Sequence, residues 1–188
     1  MNGVDYIPQK VPTLYTALQA PANLVNDYSI YGINSNAIVL PYGAVVELLL
    51  QNHDSNAHPF HLHGHNFQVV ARDPGGSLFP INPPPGPPMR RDTVQMMGDG
   101  SVTIRFVADN PGINLFHCHI EWHVEAGLTI TFIEAPTQLQ GMNPNIPVSH
   151  QNVCAAQGIA MTGNAAGNTT DYTNLAGANV VASTMPWG

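Results

Sequence analysis

Apolar and polar residues alternate with period two in Val102-Thr103-Ile104-Arg105-Phe106-Val107 and again in Leu128-Thr129-Ile130-Thr131-Phe132-Ile133-Glu134. This is the pattern of strands that turn one face to a core. Asp109-Asn110-Pro111-Gly112 is a strong turn signal between them and leads into a further strand from Ile113 to His119. Tyr42-Gly43 opens Ala44-Val45-Val46-Glu47-Leu48-Leu49-Leu50-Gln51, a run apolar enough to predict burial on both faces. Asn66 to Ala71 reads as another strand, and Asp73-Pro74-Gly75-Gly76 starts a long loop whose Pro83-Pro84-Pro85-Gly86-Pro87-Pro88 predicts extended, semi-rigid backbone. Six or so short antiparallel strands with no long helical period predict an all-β Greek-key sandwich. From Ala135 onward the periodicity fades into Asn, Gly, Ala and Thr, with one helical turn expected near Val153. The expected division is a β domain over 1–135 and an extended tail over 136–188.

Composition fits this picture and limits it. A chain of 188 residues with 44% hydrophobic content supports one domain with a real core, and 17 Pro, 17 Gly and only 9% charged residues agree with turn-rich β structure. A net charge of −7 with five Lys and Arg argues against nucleic acid or an anionic membrane surface as partner and suits cationic substrates. No apolar run reaches the length of a membrane span, and Met1-Asn2-Gly3 lacks the charged and apolar regions of a signal peptide, so targeting is not legible at that end.

Histidine placement changes the picture most. In His117-Cys118-His119-Ile120-Glu121-Trp122-His123 a cysteine stands between two histidines. On an extended segment His117 and His119 share one face and Cys118 the other, so metals on the two sides would lie on the order of a dozen ångströms apart. In His58-Pro59-Phe60-His61-Leu62-His63-Gly64-His65, His61 and His63 share a face and His58 has opposite parity, repeating that split. A Cys118 thiolate with His58 and His123 makes the trigonal sulfur-nitrogen set of a mononuclear blue-copper site. The two His-x-His pairs remain for a second centre. Any one of these histidines alone would read as an ordinary core or surface residue, but seven of the nine fall into two short windows under the same parity rule.

The motifs HPFHLHGH and HCHIEWHVEAGL resemble the last cupredoxin domain of fungal multicopper oxidases, the family of laccases and cell-surface ferroxidases, over nearly the whole chain. The resemblance implies a cupredoxin fold for the β-sandwich and copper as cofactor. It implies that His58, Cys118 and His123 bind a type 1 copper that takes electrons from substrate. It likewise implies that His61 serves a type 2 copper and that His63, His117 and His119 serve a binuclear type 3 pair, where O2 is reduced to water. Leu128, ten residues after Cys118, matches the axial position of the type 1 site. A leucine there cannot coordinate, which favours Cu(I) and raises the potential. Glu121 resembles a carboxylate that supplies protons to the oxygen-reducing cluster, with support of the ligand loop as its plainer role.

Two enzyme readings follow, one-electron oxidation of phenols or of Fe(II). Asp54, four residues before His58, matches a carboxylate that iron-oxidising members use beside the type 1 copper, and a carboxylate suits a hard cation. Its plainer reading is a loop residue bonding its own backbone. Met89-Arg90-Arg91-Asp92-Thr93 and Glu121-Trp122 also look more like the ferroxidase branch, as does the tail around 163–175. Arg90, Arg91 and Asp92 by themselves read as a structural ion-pair group. His65 shares parity with His61 and His63, yet the family does not use it for copper, so packing is its expected role. His53 and His150 read as surface residues, and the seven methionines show no copper-transport pattern.

With Cys118 committed to copper, Cys154 has no partner in the chain, which in an oxidising compartment points to a bridge elsewhere. Laccases commonly tie a cysteine in this tail to their first domain, and a free buried thiol is the alternative. Asn168-Thr169-Thr170 is a glycosylation sequon and agrees with a secreted or cell-surface protein.

A trinuclear cluster held by eight histidines needs four more than His61, His63, His117 and His119 supply, and the sequence has no His-x-His pair outside these two windows. The expected partners are therefore N-terminal cupredoxin domains, in the same enzyme or as a separate chain, with Val11-Pro12-Thr13-Leu14 resembling the start of the family's last domain. A stand-alone blue-copper electron carrier is the alternative, but it leaves four histidines without a task. A cupin-type metal protein has no place for the cysteine between two histidines.

Overall fold

Val, Ile, Leu, Phe and Thr dominate the segments with period-two patterning, and in the computed structural model these segments are strands. The structure describes residues 1–73, 75–79 and 86–182. Its strands are β1 (Ala37–Leu40), β2 (Val45–Gln51), β3 (His58–Leu62), β4 (Phe67–Arg72), β5 (Met89–Arg91), β6 (Thr93–Met96), β7 (Ser101–Val107), β8 (Gly112–Cys118) and β9 (Thr129–Glu134). One sheet has the order β1-β9-β8-β3-β6 and the other β2-β7-β4-β5. Phe60, Leu62, Phe116 and Phe132 from the first sheet meet Phe67, Val69, Ile104 and Phe106 from the second in one buried cluster. The all-β, two-sheet fold expected from the sequence is borne out, with nine strands among the described residues where about six were expected.

Several expectations need correction. β1 pairs with β9 in parallel, Ala37 opposite Thr131, so the sheets are not wholly antiparallel. Strands far apart in sequence have the long connection that parallel pairing requires. β2 is not buried on both faces, since Val45 and Leu49 stay 68% and 47% exposed. The inner row of β2 faces the sandwich and the outer row, though apolar in part, faces away from it. The polyproline expectation at Pro83–Pro85 lies outside the described residues.

The tail is more ordered than an extended segment. It forms α3 (Pro136–Met142) and α4 (Val148–Ala156), each entered at a proline, where the fixed φ favours a helix start. A helix near the N-terminus, α1 (Thr13–Gln19), was not foreseen. Its legible signal was Leu14, Ala17 and Leu18 at helical spacing. Gln140 of α3 donates to the carbonyls of Ala17 and Ala20 at 2.9 and 2.8 Å. Tyr172 packs in one cluster with Ala17, Ile30 and Leu139. The tail thus folds back on the N-terminal segment of its own chain. No described helix is long and apolar enough to cross a membrane.

Candidate metal centre

The β3–β8 ladder sets His61 opposite His117 and Phe60 opposite Cys118. Because side chains alternate along each strand, this register puts the His61 and His117 rings on one side and turns Cys118 inward beside the core. Beyond β8 the chain enters α2 (Glu121–Glu125), so His123 stands on a short helix. The Cys118 N–H donates to the Leu128 carbonyl at 3.1 Å and the Leu128 N–H to the His123 carbonyl at 2.9 Å. The strand, the helix and the start of β9 are thereby locked together around one point.

At that point lie His58 Nδ1, His123 Nδ1 and Cys118 Sγ. The two nitrogens are 3.1 Å apart, and the sulfur is 3.7 Å from the first and 3.5 Å from the second. The centre of this triangle lies roughly 2 Å from each atom, the length of a transition-metal bond to imidazole or thiolate. The three form the one such group of donors among the described residues. Asp54 Oδ2 accepts from His58 Nε2 at 3.0 Å, and since a carboxylate donates nothing, His58 carries its proton there and turns the Nδ1 lone pair to the triangle. Burial pushes the Cys118 thiol up, against a smaller pull from the Ile120 backbone. A bound cation reverses that cost by stabilising the thiolate. Burial also holds His123 below the ordinary imidazole value, with His58 adding and Asp54 opposing, which favours the neutral ligand form.

The other four expected histidines also come together. His61 and His63 ring centroids are 4.9 Å apart, and His61 lies 5.7 Å from both His117 and His119. His63 and His117 face each other with their Nε2 atoms 3.0 Å apart. His61 Nδ1 donates to the Asp92 carbonyl at 2.9 Å, and His117 Nδ1 to the Cys118 carbonyl at 2.8 Å. Carbonyls only accept, so the Nε2 of each ring keeps its lone pair for a metal. Partial burial lowers the His63 value, and His117, His61 and His119 lower it further.

Asp54 does two things at once. Its Oδ1 accepts from the Asn56 backbone and side chain, both at 3.1 Å, while Oδ2 holds His58. The Asn56 backbone N–H is the main cause that keeps its carboxyl below the usual range, against the opposing effect of burial. Leu128 is half-buried and packs on the core beside this site. Glu121 is the exposed first residue of α2. His53 and His150 are exposed, as expected. The expected ion-pair group does not form among the described residues: Arg91 contacts Met89 Sδ at 3.4 Å and Asp92 accepts from the Thr93 hydroxyl at 3.0 Å. All three charges are exposed, where water solvates them at little cost. His65 does more than pack, since it bonds Glu134 at 2.6 Å. Glu134 itself was missed, and an acid ending a strand that carries no other charge was the signal for it.

A two-sheet β-sandwich that holds one thiolate and two imidazoles as a ready triangle, with four further imidazoles gathered from the same two strands, is a cupredoxin-type domain with donors suited to copper. The chain belongs to the multicopper oxidase family, whose model matches residues 6–138. Over the whole chain it is 43% identical to the iron transport multicopper oxidase FET3 of Kluyveromyces lactis and 46% identical to that of Gibberella zeae, covering 31% of each. Among solved structures it is similar to the multicopper oxidase Fet3p, which functions in iron import, with a TM-score of 0.82 at 41% identity over 91% of this chain and 34% of that one. The laccase from Botrytis aclada matches at a TM-score of 0.56 and 28% identity, over 72% of this chain and 26% of that one. The chain therefore spans about a third of the length of these relatives.

Proposed function

We propose that this domain accepts single electrons from a reductant at His58, Cys118 and His123 and delivers them through Cys118 to His117 and His119, at the edge of an oxygen-reducing cluster. The observation that carries the reading is the opposed placement of the two donor sets on adjacent residues of β8, with the His117–Cys118 peptide as the shortest covalent path between them. Copper held by the first set would supply one-electron redox chemistry, and His61, His63, His117 and His119 would provide half of the ligands of a type 2 and type 3 cluster that reduces O2 to water. Further cupredoxin domains of the same enzyme supply the other half. Cys154, buried and free within this chain, bridges to one of them in a secreted or cell-surface protein. The division at residue 135 follows from the same view, with 1–135 as the cupredoxin unit and 136–188 as a tail that braces it against its neighbours.

Each residue of the reducing site has a role in this reading. Asp54 and His58 share one hydrogen bond, so a cation held by Asp54 lies one imidazole away from the electron acceptor. This favours Fe(II) as reductant, in keeping with the likeness to iron transport multicopper oxidases, and the likeness to a laccase keeps phenols as a second substrate class. Leu128 packs at the axial side without coordinating, and Glu121 carries protons toward the cluster face. The reading is tested by oxygen consumption of the protein with all its domains. Four Fe(II) or phenol equivalents consumed per O2, with no peroxide formed, is the expected result, and peroxide as product would contradict it.

A further inference from the structure

Glu134 is fully buried, and its carboxylate collects three donors. His65 Nε2 lies 2.6 Å from it, the Asn110 backbone N–H 2.7 Å and Asn114 Nδ2 3.1 Å. Asn110 in turn donates from Nδ2 to the Gly64 carbonyl at 3.0 Å. Gly64 has φ +76°, and a Cβ added there would meet Asn114 Oδ1 at 2.5 Å, so this turn has one conformation and one occupant. The His65 ring also lies on Phe106, with centroids 4.9 Å apart.

These bonds join the ends of both His-x-His pairs. Gly64 and His65 follow His63 directly, and the His63 N–H donates to the Leu115 carbonyl at 2.9 Å. Asn114 precedes His117 on β8 by three residues. Stability alone does not call for a carboxylate here, because a buried ion is often replaceable by well-packed apolar residues without loss. What a fully satisfied charge adds is direction: three donors aimed at two oxygens permit one orientation of the segments that carry them.

We propose that Glu134 is a positioning residue which, through His65, Asn110 and Asn114, fixes the directions in which His63 and His117 present their Nε2 atoms to the copper cluster. This rests on the cluster reading given above. The Glu134 network serves the cluster face and leaves the His58–Cys118–His123 triangle untouched, so the two centres respond differently when it is cut.

The test uses the copper-loaded protein with all its domains and two variants of one position. His65→Phe keeps a ring on Phe106 and removes the donor, whereas His65→Gln restores an amide donor. Copper retained against a chelator, the visible charge-transfer band and the type 2 electron paramagnetic signal are read for each, with the thermal midpoint alongside. His65→Phe is expected to keep the visible band and to lose about 10- to 100-fold in cluster copper affinity, the range for cutting an outer partner of a metal ligand. His65→Gln is expected to recover most of that loss. Should His65→Phe fail to accumulate, Glu134→Gln decides by the same signals, since it keeps an acceptor for Asn110 and turns a donor on Asn114. Parent-like cluster copper in the variant, or equal copper loss from both centres with a lowered midpoint, overturns the proposal. A parent lacking the cluster signals overturns the cluster reading itself, and this inference with it.

Discussion

Cys118 and His117 are neighbours on β8, yet the sites they belong to are built differently. The triangle around Cys118 is closed within this chain: its three donor atoms lie within 3.7 Å of one another, and His58 and Cys118 are buried. The four-histidine group is spaced much alike, with ring centroids 4.9 to 5.7 Å apart against 4.9 Å for His58 and His123, but two of its members, His63 and His119, are exposed. A site that one domain completes is shaped by that domain's own core. A site that domains share has to leave ligands at the surface, where the fold fixes their backbone and the far side is open to a partner.

The largest separation of the two sites is expected from His117→Ala. Oxygen reduction should fall by more than the roughly 10- to 100-fold typical of losing an outer partner, because a ligand itself is gone. The visible band of the Cys118 site should persist, and stopped-flow reduction by Fe(II) against overall oxygen uptake checks both. Loss of the band together with the activity would mean that the sites are not separable.

Asp54→Asn sharpens the comparison within the reducing site. Asparagine still accepts from His58 but carries no charge, so Fe(II) turnover should drop roughly tenfold or more, as a charge-assisted contact contributes about 1.5 to 3 kcal/mol. Phenol oxidation is the internal control for folding and copper loading and should change little. Equal losses on both substrates would return Asp54 to the role of loop residue. A smaller effect is expected from Leu128→Met, which gives the site an axial donor and should lower its potential with both substrates still turned over. A redox titration showing an equal or higher potential would place the axial position elsewhere.

The sequence made the two sites legible to different degrees. Parity along two strands was enough to sort His58 and Cys118 from His61, His63, His117 and His119, because β alternation is strict and the ladder adds only the register. The strands at 101–107 and 129–134 were equally plain. Helices α1 and α3 were not, since each is short and gains its stability from packing between chain ends that are remote in sequence, and of α4 only the turn near Val153 was legible. The exposed outer row of β2 was misread because an apolar run does not reveal which of its faces the sandwich covers. Glu134 was missed for a similar reason. Its three donors come from two separate segments, 65 and 110–114, and no local spacing connects them to residue 134.

The central claim is that one strand carries two copper centres, of which this chain completes one. Copper content per molecule together with the electron paramagnetic spectrum of Cys118→Ser, measured on the protein with all its domains, tests it most directly. The account predicts the loss of a single copper and of the visible band, with the type 2 signal retained. A folded variant that kept the band, or one that lost all of its copper at once, would contradict it.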